Sequence, residues 1–375
     1  MPAPISPPLR DLLALHLVEG LGPQRITALI EAFGSAARVR RASAAELLRV
    51  PGIGEQLAAQ LAQALPRVDV DAEIAALDRF GVQVLQRGQA GYPAGLAEIP
   101  AAPLLLYCRG ELQSGDARGV ALVGTRHPDA YGKRLAQRLA TGLAQAGVTV
   151  VSGLARGIDG LAHRAALEAG GRTLAVLAGG LSSIYPPEHR DLAEAVSQAG
   201  ACLSEATLFT EPTRWRFPAR NRIISGLSRV IVIVQAPTDS GALITAEHAA
   251  EQGRTVMAVP GLVDAEASGG CHRLLREGAI LCRGVEDILE ELDGIGVSPP
   301  RPAEESAPAP PPPAPPALDP VQQSIWNFLE TGPRAGDEIT QMLGIPVPQL
   351  AGLLLGLEMR RLVRRLPGNR YERVS

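Results

Sequence analysis

Short β-branched apolar runs alternate with amphipathic helical stretches along the centre of the chain, at about residues 115–292. Strands that are separated by helices imply right-handed crossovers and a parallel sheet. Continuously apolar strands fit a sheet that is covered on both faces. The pattern therefore predicts a doubly wound α/β domain with a mostly parallel sheet. The predicted strands are 120–123, 148–151, 173–177, 230–234 and 255–259, and the helical stretches include 131–146, 159–169, 188–198 and 241–252.

The N-terminal segment, at about residues 8–66, has the spacing of apolar helices interrupted by two glycine-containing turns, at 19–22 and 50–54. The second turn, Val50-Pro51-Gly52-Ile53-Gly54, is typical of a helix-hairpin-helix unit. Glycines there free backbone N–H groups near a helix N-terminus, which can hold a phosphate. A plain turn between two helices of a bundle explains the same residues, and Glu19 and Glu55 flank the turns with negative charge. Both interpretations stay open.

The stretch from Pro299 to Pro316 is dominated by proline, with four consecutive prolines at 310–313. Such a composition cannot bury a core and favours an extended, semi-rigid linker. We therefore predict a helical domain at 1–70, an α/β domain at 71–292, a proline-rich linker at 293–317 and a C-terminal domain at 318–375.

The C-terminal segment resembles a winged helix. Helical patterns cover 321–330, 337–344 and 347–363, and the stretch from Arg364 to Tyr371 resembles a wing with a turn at 367–369. A winged helix reads duplex DNA through its third helix. Here that helix is mostly leucine and glycine from Gln349 to Met359, which leaves few side chains to read bases. We expect a protein contact or weak DNA binding there.

Composition narrows the possible functions. The hydrophobic fraction of 46% allows a sizeable core, and aromatic residues make up only 3%, so an aromatic ring in a loop stands out. The net charge is −3 and the pI is near 6.1. Binders of polyanions usually carry a positive excess, so any nucleic-acid site must be a local basic patch.

The chain carries no sign of an oxidising compartment or a membrane. None of the four cysteines stands in a CxxC arrangement, so we expect buried, reduced thiols rather than disulfides or zinc. The N-terminus lacks the pattern of a secretory signal, and no apolar run reaches the roughly 18 residues of a membrane span. We expect a cytoplasmic protein.

Small residues begin the loops that follow the predicted strands. In a doubly wound sheet the ligand crevice lies beyond the C-terminal strand ends. Small residues let backbone amides approach a ligand, and helix N-termini supply positive potential, so a phosphate-containing ligand is favoured. The loop after the first strand lacks the GxGxxG fingerprint, and we expect no nicotinamide, flavin or other cofactor. The loop residues that we predict to face the ligand are Gly124, Thr125, Gly153, Ser240 and Gly241.

Four arginines, an asparagine and two aromatic residues occupy the nine positions 214–222. Arginines hold phosphates through forked hydrogen bonds, and an interleaved ring can stack on an unpaired base, which is worth about 1–3 kcal/mol per base. This combination favours single-stranded nucleic acid over a mononucleotide. The alternative is that some of these arginines pair with Glu205 or Glu211 and that Trp215 belongs to the core.

Two further arginines, Arg126 and Arg156, lie in the loops after the first two strands and would extend the basic track. No catalytic constellation accompanies them. None of the six histidines has a partner at a spacing that suggests a metal or a nucleophile, and Asp159 begins a helix as a cap would. We therefore expect neither catalysis nor a metal.

These loops together resemble the DNA-processing protein A (DprA) family, also called Smf. The resemblance is dense over about 90–292, and the predicted helix-hairpin-helix start and winged-helix end fit the layout of that family. The matching phrases are Val123-Gly-Thr-Arg126 with Tyr131-Gly132, Ser152-Gly-Leu-Ala-Arg-Gly-Ile-Asp159 with Ala162-His163, Tyr185-Pro186, Phe217-Pro-Ala-Arg-Asn-Arg-Ile-Ile-Ser-Gly-Leu-Ser228, Ser240-Gly-Ala-Leu-Ile-Thr-Ala246 and Ala258-Val-Pro-Gly261.

The resemblance implies a single-stranded-DNA-binding protein with an extended Rossmann-like domain. It further implies that the protein loads the recombinase RecA onto incoming DNA during natural transformation while displacing single-strand-binding protein. By motif, Arg126 would take phosphate on one side of the groove and Arg214 on the other, and Phe217 would lie against a base. Arg220 and Asn221 would shape the pocket.

The resemblance also implies a homodimer formed through the far part of this domain, around 271–281. The chain departs from the family pattern at two positions. Gln235 stands where a glutamate is frequent, and Arg214 stands where a lysine is frequent. Trp215 has no counterpart that the pattern identifies.

Two other functions remain as alternatives. A nucleotide-processing enzyme of the phosphoribohydrolase type would share a related Rossmann core but carries a PGGxGTxxE signature, which the nearest stretch, 240–247, lacks. A duplex-DNA regulator would act through the C-terminal winged helix.

Overall fold

The computed structural model describes residues 5–294, 318–329, 332–360, 362–366 and 369–373. The predicted linker lies almost wholly outside the described residues, as does most of the predicted wing turn. The chain divides into two compact units, Met1–Arg301 and Pro302–Ser375.

The N-terminal segment is helical, as predicted. A capping box, in which Ser43 and Glu46 each accept from the other's backbone N–H, starts its fourth helix, and Gly34 ends the second in the left-handed conformation at φ 79°. Its buried leucines and isoleucines join the core residues of the sheet in one cluster, so the helices pack directly on the α/β domain. The helices are α1 (Pro7–His16), α2 (Pro23–Phe33), α3 (Ala36–Arg41), α4 (Ala44–Leu47), α5 (Glu55–Ala64) and α6 (Val70–Phe80).

A nine-stranded sheet forms the centre of the first unit, in the order β1-β2-β6-β5-β4-β3-β7-β8-β9. The strands from β6 to β9 along this order run parallel, whereas β2 pairs antiparallel with both β1 and β6. The predicted mostly parallel sheet is confirmed. The strands are β1 (Val82–Gln86), β2 (Leu105–Gly110), β3 (Val120–Gly124), β4 (Val150–Ser152), β5 (Thr173–Leu177), β6 (Ala201–Ser204), β7 (Val230–Gln235), β8 (Thr255–Ala258) and β9 (Ile280–Leu281).

Helices cover both faces of the sheet, which is why its strands are continuously apolar. Along β3, Val120 and Leu122 pack in one cluster with α8 and α9, and Ala121 and Val123 pack in the other with α11 and α12. The helices of this part are α7 (Ala94–Ala97), α8 (Ala130–Gln145), α9 (Ile158–Glu168), α10 (Arg190–Ala199), α11 (Arg216–Gly226), α12 (Ala242–Glu251), α13 (Gly269–Arg276) and α14 (Val285–Gly294).

The strand order reverses at β3. The chain proceeds from β3 through β4 and β5 to β6 on one side, and β7 then returns to pair with β3 on the other side. Ligand crevices of doubly wound sheets lie at such a switch point, outside the carboxyl ends of the strands. The loops after β3 and β7 therefore define the place at which to look for a site.

The second unit has the helix and sheet order of a winged helix, with the predicted third helix ending four residues early. Its elements are α15 (Pro320–Phe328), β10 (Arg334–Ala335), α16 (Gly336–Leu343), α17 (Val347–Met359), β11 (Val363–Leu366) and β12 (Arg370–Arg373). The three strands form an antiparallel sheet in the order β10-β12-β11. None of the described helices is by itself long and apolar enough to cross a membrane. The consecutive helices Gly336–Leu343 and Val347–Glu358 together reach the length and apolar composition of a membrane span, but they are bent by 113°.

Candidate nucleic-acid interface

A cleft of about 330 Å³, here called the central cleft, lies at the switch point between β3 and β7. Its walls come from the loops after these two strands and from the beginnings of α11 and α12. The fold thus brings together segments that are more than a hundred residues apart in sequence. Eight of the predicted site residues line the central cleft, namely Gly124, Thr125, Arg126, Phe217, Arg220, Asn221, Ser240 and Gly241.

Three predicted site residues do not line the described wall of the central cleft. Gly153 lies behind it, where its carbonyl oxygen accepts a hydrogen bond of 2.6 Å from Arg220 Nη1. Arg156 is turned towards Glu188, and its Nε lies 2.6 Å from the Glu188 carboxylate. Arg214 is exposed, two residues before α11 begins.

Rings and guanidinium groups alternate along the mouth of the central cleft. The Arg126 guanidinium lies 5.1 Å from the centroid of the Phe217 ring, and that of Arg220 lies 6.0 Å from it. The Tyr185 ring meets Phe217 edge-on at 5.7 Å, and Arg156 lies 5.9 Å from Tyr185. These distances are those of cation–π and aromatic pairs. The Phe217 ring thus lies near the cations of Arg126 and Arg220, and the Tyr185 ring lies near the ion pair of Arg156 with Glu188.

Sequence reasoning did not place Tyr185 at the site. The signals were its position in the loop that follows β5, in a chain with few aromatic residues, and the Tyr185-Pro186 phrase of the family resemblance. Its ring is 40% exposed, so it remains available to a ligand beside Phe217.

Arg220 forms the floor of the central cleft and is a buried cation. Its Nη1 donates to the carbonyl oxygens of Gly153 and Val176, and its Nε lies 3.2 Å from Asn221 Oδ1. Burial lowers the pKa of Arg220 to about 10, although the nearby Asp159 opposes this shift. The side chain therefore stays protonated at neutral pH and gives the floor positive potential.

Asp159 is buried beneath the same floor. Its carboxylate accepts from the backbone N–H groups of Gly153 and Ala155 at 3.1 and 3.4 Å. Burial raises the pKa of Asp159, and the Arg220 charge opposes that shift. The expectation that Asp159 caps its helix is wrong: Gly157 occupies the N-cap position, and the Asp159 carboxylate clamps the preceding loop instead.

Two of the predicted glycines serve close packing. A Cβ on Gly124 would lie 2.7 Å from the carbonyl oxygen of Gln235, and a Cβ on Gly153 would lie 2.6 Å from the Arg220 guanidinium. Gly241, by contrast, has open space at this point. Glycine at 124 and 153 therefore makes room for neighbouring protein groups, and Gly241 leaves room at the cleft itself.

The first turn of α12 is tied to α11. Ser240 Oγ accepts from the backbone N–H of Ala242 at 3.3 Å, and Asn221 Nδ2 donates to the carbonyl oxygen of Gly241 at 3.2 Å. Asn221 thus holds the beginning of α12 against the arginine-rich helix. Both elements keep their polar groups beside the central cleft.

Gln235, where the family pattern often has glutamate, is buried at the end of β7. Its Oε1 accepts from the backbone N–H of Asp129 at 3.1 Å. A Cβ on Gly132 would lie 2.3 Å from the same oxygen. The amide therefore locks the start of α8 to β7 without placing a negative charge behind the cationic loop.

A larger cleft, of about 760 Å³, lies between the first glycine turn and the arginine-rich segment, and two acids, Glu19 and Glu205, contribute to its wall. Trp215 is 64% exposed there, so the alternative that it belongs to the core is wrong. Arg216 lies 4.4 Å from its ring centroid. The alternative of ion pairing holds for Arg222, whose Nη2 lies 2.7 and 2.8 Å from the two Glu205 oxygens.

The described residues contain no group of three or more histidine, cysteine or acidic side chains placed to hold a metal ion. The four cysteines are buried free thiols, as expected from their spacing. His163 is also buried, with Nδ1 at 2.7 Å from Thr173 Oγ1, which is the environment of a structural histidine.

Comparison with protein families gives matches along three parts of the chain. Residues 83–293 match the model described as DNA recombination-mediator protein A. Residues 309–369 match the DprA winged helix domain, and residues 10–66 match a SAM-like helix-hairpin-helix tandem. The first match alone covers more than half of the chain.

Similar proteins agree with these matches. The Smf protein of Synechocystis sp. is 33% identical over 388 aligned positions, which cover 96% of this chain and 98% of the relative. The crystal structure of DprA from Streptococcus pneumoniae has a TM-score of 0.66 and 33% identity, covering 75% of this chain and 97% of that chain. A structure of DprA from Helicobacter pylori, described for its single-stranded DNA binding mode, has a TM-score of 0.51 and 28% identity over 58% of this chain and 97% of that chain. A relative matched over nearly its full length and a family model spanning the sheet both show that the chain belongs to the DprA/Smf family.

Proposed function

We propose that this protein binds single-stranded DNA in the central cleft and acts as a recombination mediator during natural transformation. In that role it protects incoming DNA, displaces single-strand-binding protein and loads RecA, without catalysing a reaction itself. The observation that carries the proposal is the position of the Phe217 ring in the central cleft, with the guanidinium groups of Arg126 and Arg220 at 5.1 and 6.0 Å from its centroid.

The chemistry of the central cleft suits an unpaired base with its phosphate. A ring in the wall of a cleft offers a face on which any base can stack, and guanidinium groups hold the adjacent phosphate. Bases of a duplex are stacked on each other and cannot reach Phe217 without leaving the helix. A cleft of about 330 Å³ accepts one such unit rather than a length of double helix.

The net charge of −3 does not oppose this proposal. Arg126 has no ion pair with a described carboxylate, and Asp159, the one acid lining the central cleft, is buried and clamped by backbone N–H groups. Local potential, rather than net charge, decides whether a strand is held.

The partners rest on family membership. We propose a homodimer formed around 271–281, where the short edge strand β9 exposes Ile280 and Leu281. An exposed apolar edge strand favours pairing with another chain. RecA and incoming single strands are cytoplasmic in bacteria that take up DNA, so we propose the same location for this protein.

The test is a titration of the full chain with labelled oligo-dT and with a duplex of equal length across salt concentrations. We expect preference for the single strand and a log–log salt slope of about −0.7 for each neutralised phosphate. Equal affinity for both, or no binding at low salt, would contradict the proposal. Release of base or phosphate from a nucleotide would favour the enzyme alternative, and loss of strand binding on deletion of residues after 316 would favour the regulator.

A further inference from the structure

A second basic cleft, of about 430 Å³, adjoins the central cleft and is here called the distal cleft. Arg126 and His127 belong to the walls of both. Beyond them, the charged and titratable residues of the distal cleft are Lys133 on α8, Arg164 on α9 and His189. The two clefts are therefore continuous across the loop that follows β3.

All charged side chains that line the distal cleft are cationic, since no aspartate or glutamate belongs to its described wall. Lys133 and Arg164 are exposed, and neither forms an ion pair with a carboxylate within residues 5–294. Other arginines nearby are neutralised, as in the pairs of Arg156 with Glu188 and Arg222 with Glu205. In a chain of net charge −3, an anion gains the most electrostatic binding energy at a surface whose cations are not paired with carboxylates.

Close packing builds the distal cleft. Gly157 has φ +75°, and a Cβ there would lie 2.3 Å from the carbonyl oxygen of Thr125. A Cβ on Gly160 would lie 2.7 Å from Cε1 of His189, whose Nδ1 is 2.8 Å from the carbonyl oxygen of Leu154. The loop after β3 and the start of α9 are therefore pressed together, which holds the cationic side chains around one depression.

We propose that the distal cleft binds the sugar-phosphate backbone of the same strand whose base occupies the central cleft, with Lys133 and Arg164 as phosphate ligands. The inference rests on the proposed function and extends it. Backbone rather than base is the occupant because no Phe, Tyr or Trp ring belongs to the described wall of the distal cleft, and of its two imidazoles that of His189 is buried. Lysine acts on phosphate as a point charge and arginine as a fork, and neither reads sequence.

Binding to two lengths of oligo-dT separates this inference from the function on which it rests. We choose about 4 and about 16 nucleotides, the range of site sizes known for single-strand-binding domains. The double variant K133Q/R164Q is expected to bind the long strand about tenfold more weakly, with a salt slope smaller by about 1.4 for two lost phosphate contacts. Its affinity for the short strand is expected to stay within about twofold, since the central cleft suffices for it.

The matched control is Arg134→Gln, which removes a charge from the same helix. Arg134 lies 6.0 Å from the Tyr131 ring centroid and does not line either cleft. It is expected to leave both affinities and the salt slope unchanged. The variants and the parent chain should have the same thermal unfolding midpoint, which shows that a change in affinity does not come from a folding defect.

Lys133 also allows a direct measurement, because it is the single lysine of the chain. An amine-reactive acetylating reagent modifies Lys133 and the N-terminal amine, which mass spectrometry separates by peptide. The long oligo-dT is expected to slow acetylation of Lys133 several-fold and to leave the N-terminal amine unaffected, whereas the short oligo-dT protects neither.

The outcomes are distinct. If the short and long strands bind, K133Q/R164Q retains the parent affinity and slope, and Lys133 acetylates freely, the distal cleft is not part of the path and only this inference falls. If the parent chain binds neither strand, the proposed function falls with it. Loss of long-strand affinity to the same extent in Arg134→Gln would show a general charge effect and would also overturn the inference.

Discussion

The arginine-rich segment 214–222 has two halves with different surroundings. In the outer half, 214–217, Arg214 and Trp215 are exposed and Phe217 faces the central cleft. In the inner half, 220–222, Arg220 is buried on backbone carbonyl oxygens and Arg222 is paired with Glu205. Three of the four arginines, which are equivalent in a composition count, thus divide into a cation that is available to a ligand and two cations that hold the fold.

The comparison indicates that an arginine that holds the fold, such as Arg220, would also contribute to the proposed binding. Arg220 supplies positive potential from below, while its hydrogen bonds keep the loop after β4 in place. A buried cation whose donors are satisfied contributes potential without the entropy cost of ordering a long side chain on binding. In the proposed function, the outer residues would supply stacking and direct phosphate contact.

The largest expected effect is on the inner half, with Arg220→Ala. The change removes the donors to Gly153 and Val176 and leaves Asp159 buried without its cation. We expect the free energy of unfolding to fall by about 3 kcal/mol, as measured in urea. If Arg220→Ala is as stable as the parent chain, Arg220 does not hold the fold and the distinction between the two halves is wrong.

In the outer half, Phe217→Ala is expected to weaken binding of oligo-dT by about 2 kcal/mol, the stacking energy of one base. The salt slope should stay unchanged because no charge is lost. Titration at several salt concentrations measures both. Phe217→Tyr, which keeps a ring, serves as the control, and a changed slope in Phe217→Ala would contradict a stacking role.

The buried charge of Arg220, in the inner half, also acts on His163 and so contributes to a pH dependence of stability. Burial, aided by the charges of His189 and Arg220, lowers the pKa of His163 to about 3. Below its ordinary pKa of 6.5 the unfolded chain takes up a proton that the folded chain refuses, so stability falls as pH falls from 6.5 towards 3. At pH 5 this amounts to about 2 kcal/mol. Urea unfolding of His163→Gln between pH 7 and 5 should show a correspondingly smaller loss than the parent chain.

Arg126→Ala is expected to lower affinity for oligo-dT about tenfold and to reduce the salt slope by about 0.7, because one phosphate contact is lost. The unfolding midpoint should hardly change, since Arg126 is exposed and its ring partner among the described residues is Phe217. Arg126→Lys, which keeps the charge but loses the fork, should fall between the two. A loss of stability without a change in slope would assign Arg126 to the scaffold.

The smallest effect is expected from Arg222→Gln. Its pair with Glu205 is partly buried, so the free energy of unfolding should fall by about 1 kcal/mol. Affinity for oligo-dT should stay within about twofold, because Arg222 does not line the central cleft. Weaker binding with unchanged stability would show that Arg222 contacts the ligand, as proposed for the outer half, rather than holding the fold.

Much of the fold was predictable from the pattern of apolar runs. All five predicted strands exist, with the run 148–151 shifted to Val150–Ser152. Strands β1, β2, β6 and β9 were not predicted. Strands β2 and β6 contain no β-branched residue, and β9 is two residues at an edge. Such strands are stabilised by pairing with neighbours that are distant in sequence, which no local pattern records.

The sequence by itself determined the doubly wound sheet, the family and eight residues of the central cleft, because periodicity and motif spacing are local properties of the chain. Only the tertiary structure decided which arginines are free, that Tyr185 joins Phe217, and that Lys133 and Arg164 share a cleft with Arg126. Ion pairs such as that of Arg222 with Glu205 join residues 17 positions apart, and Arg220 meets Val176 across 44. The free energy of a charge depends on the groups that surround it in space, and these groups come together only when distant segments of the chain pack.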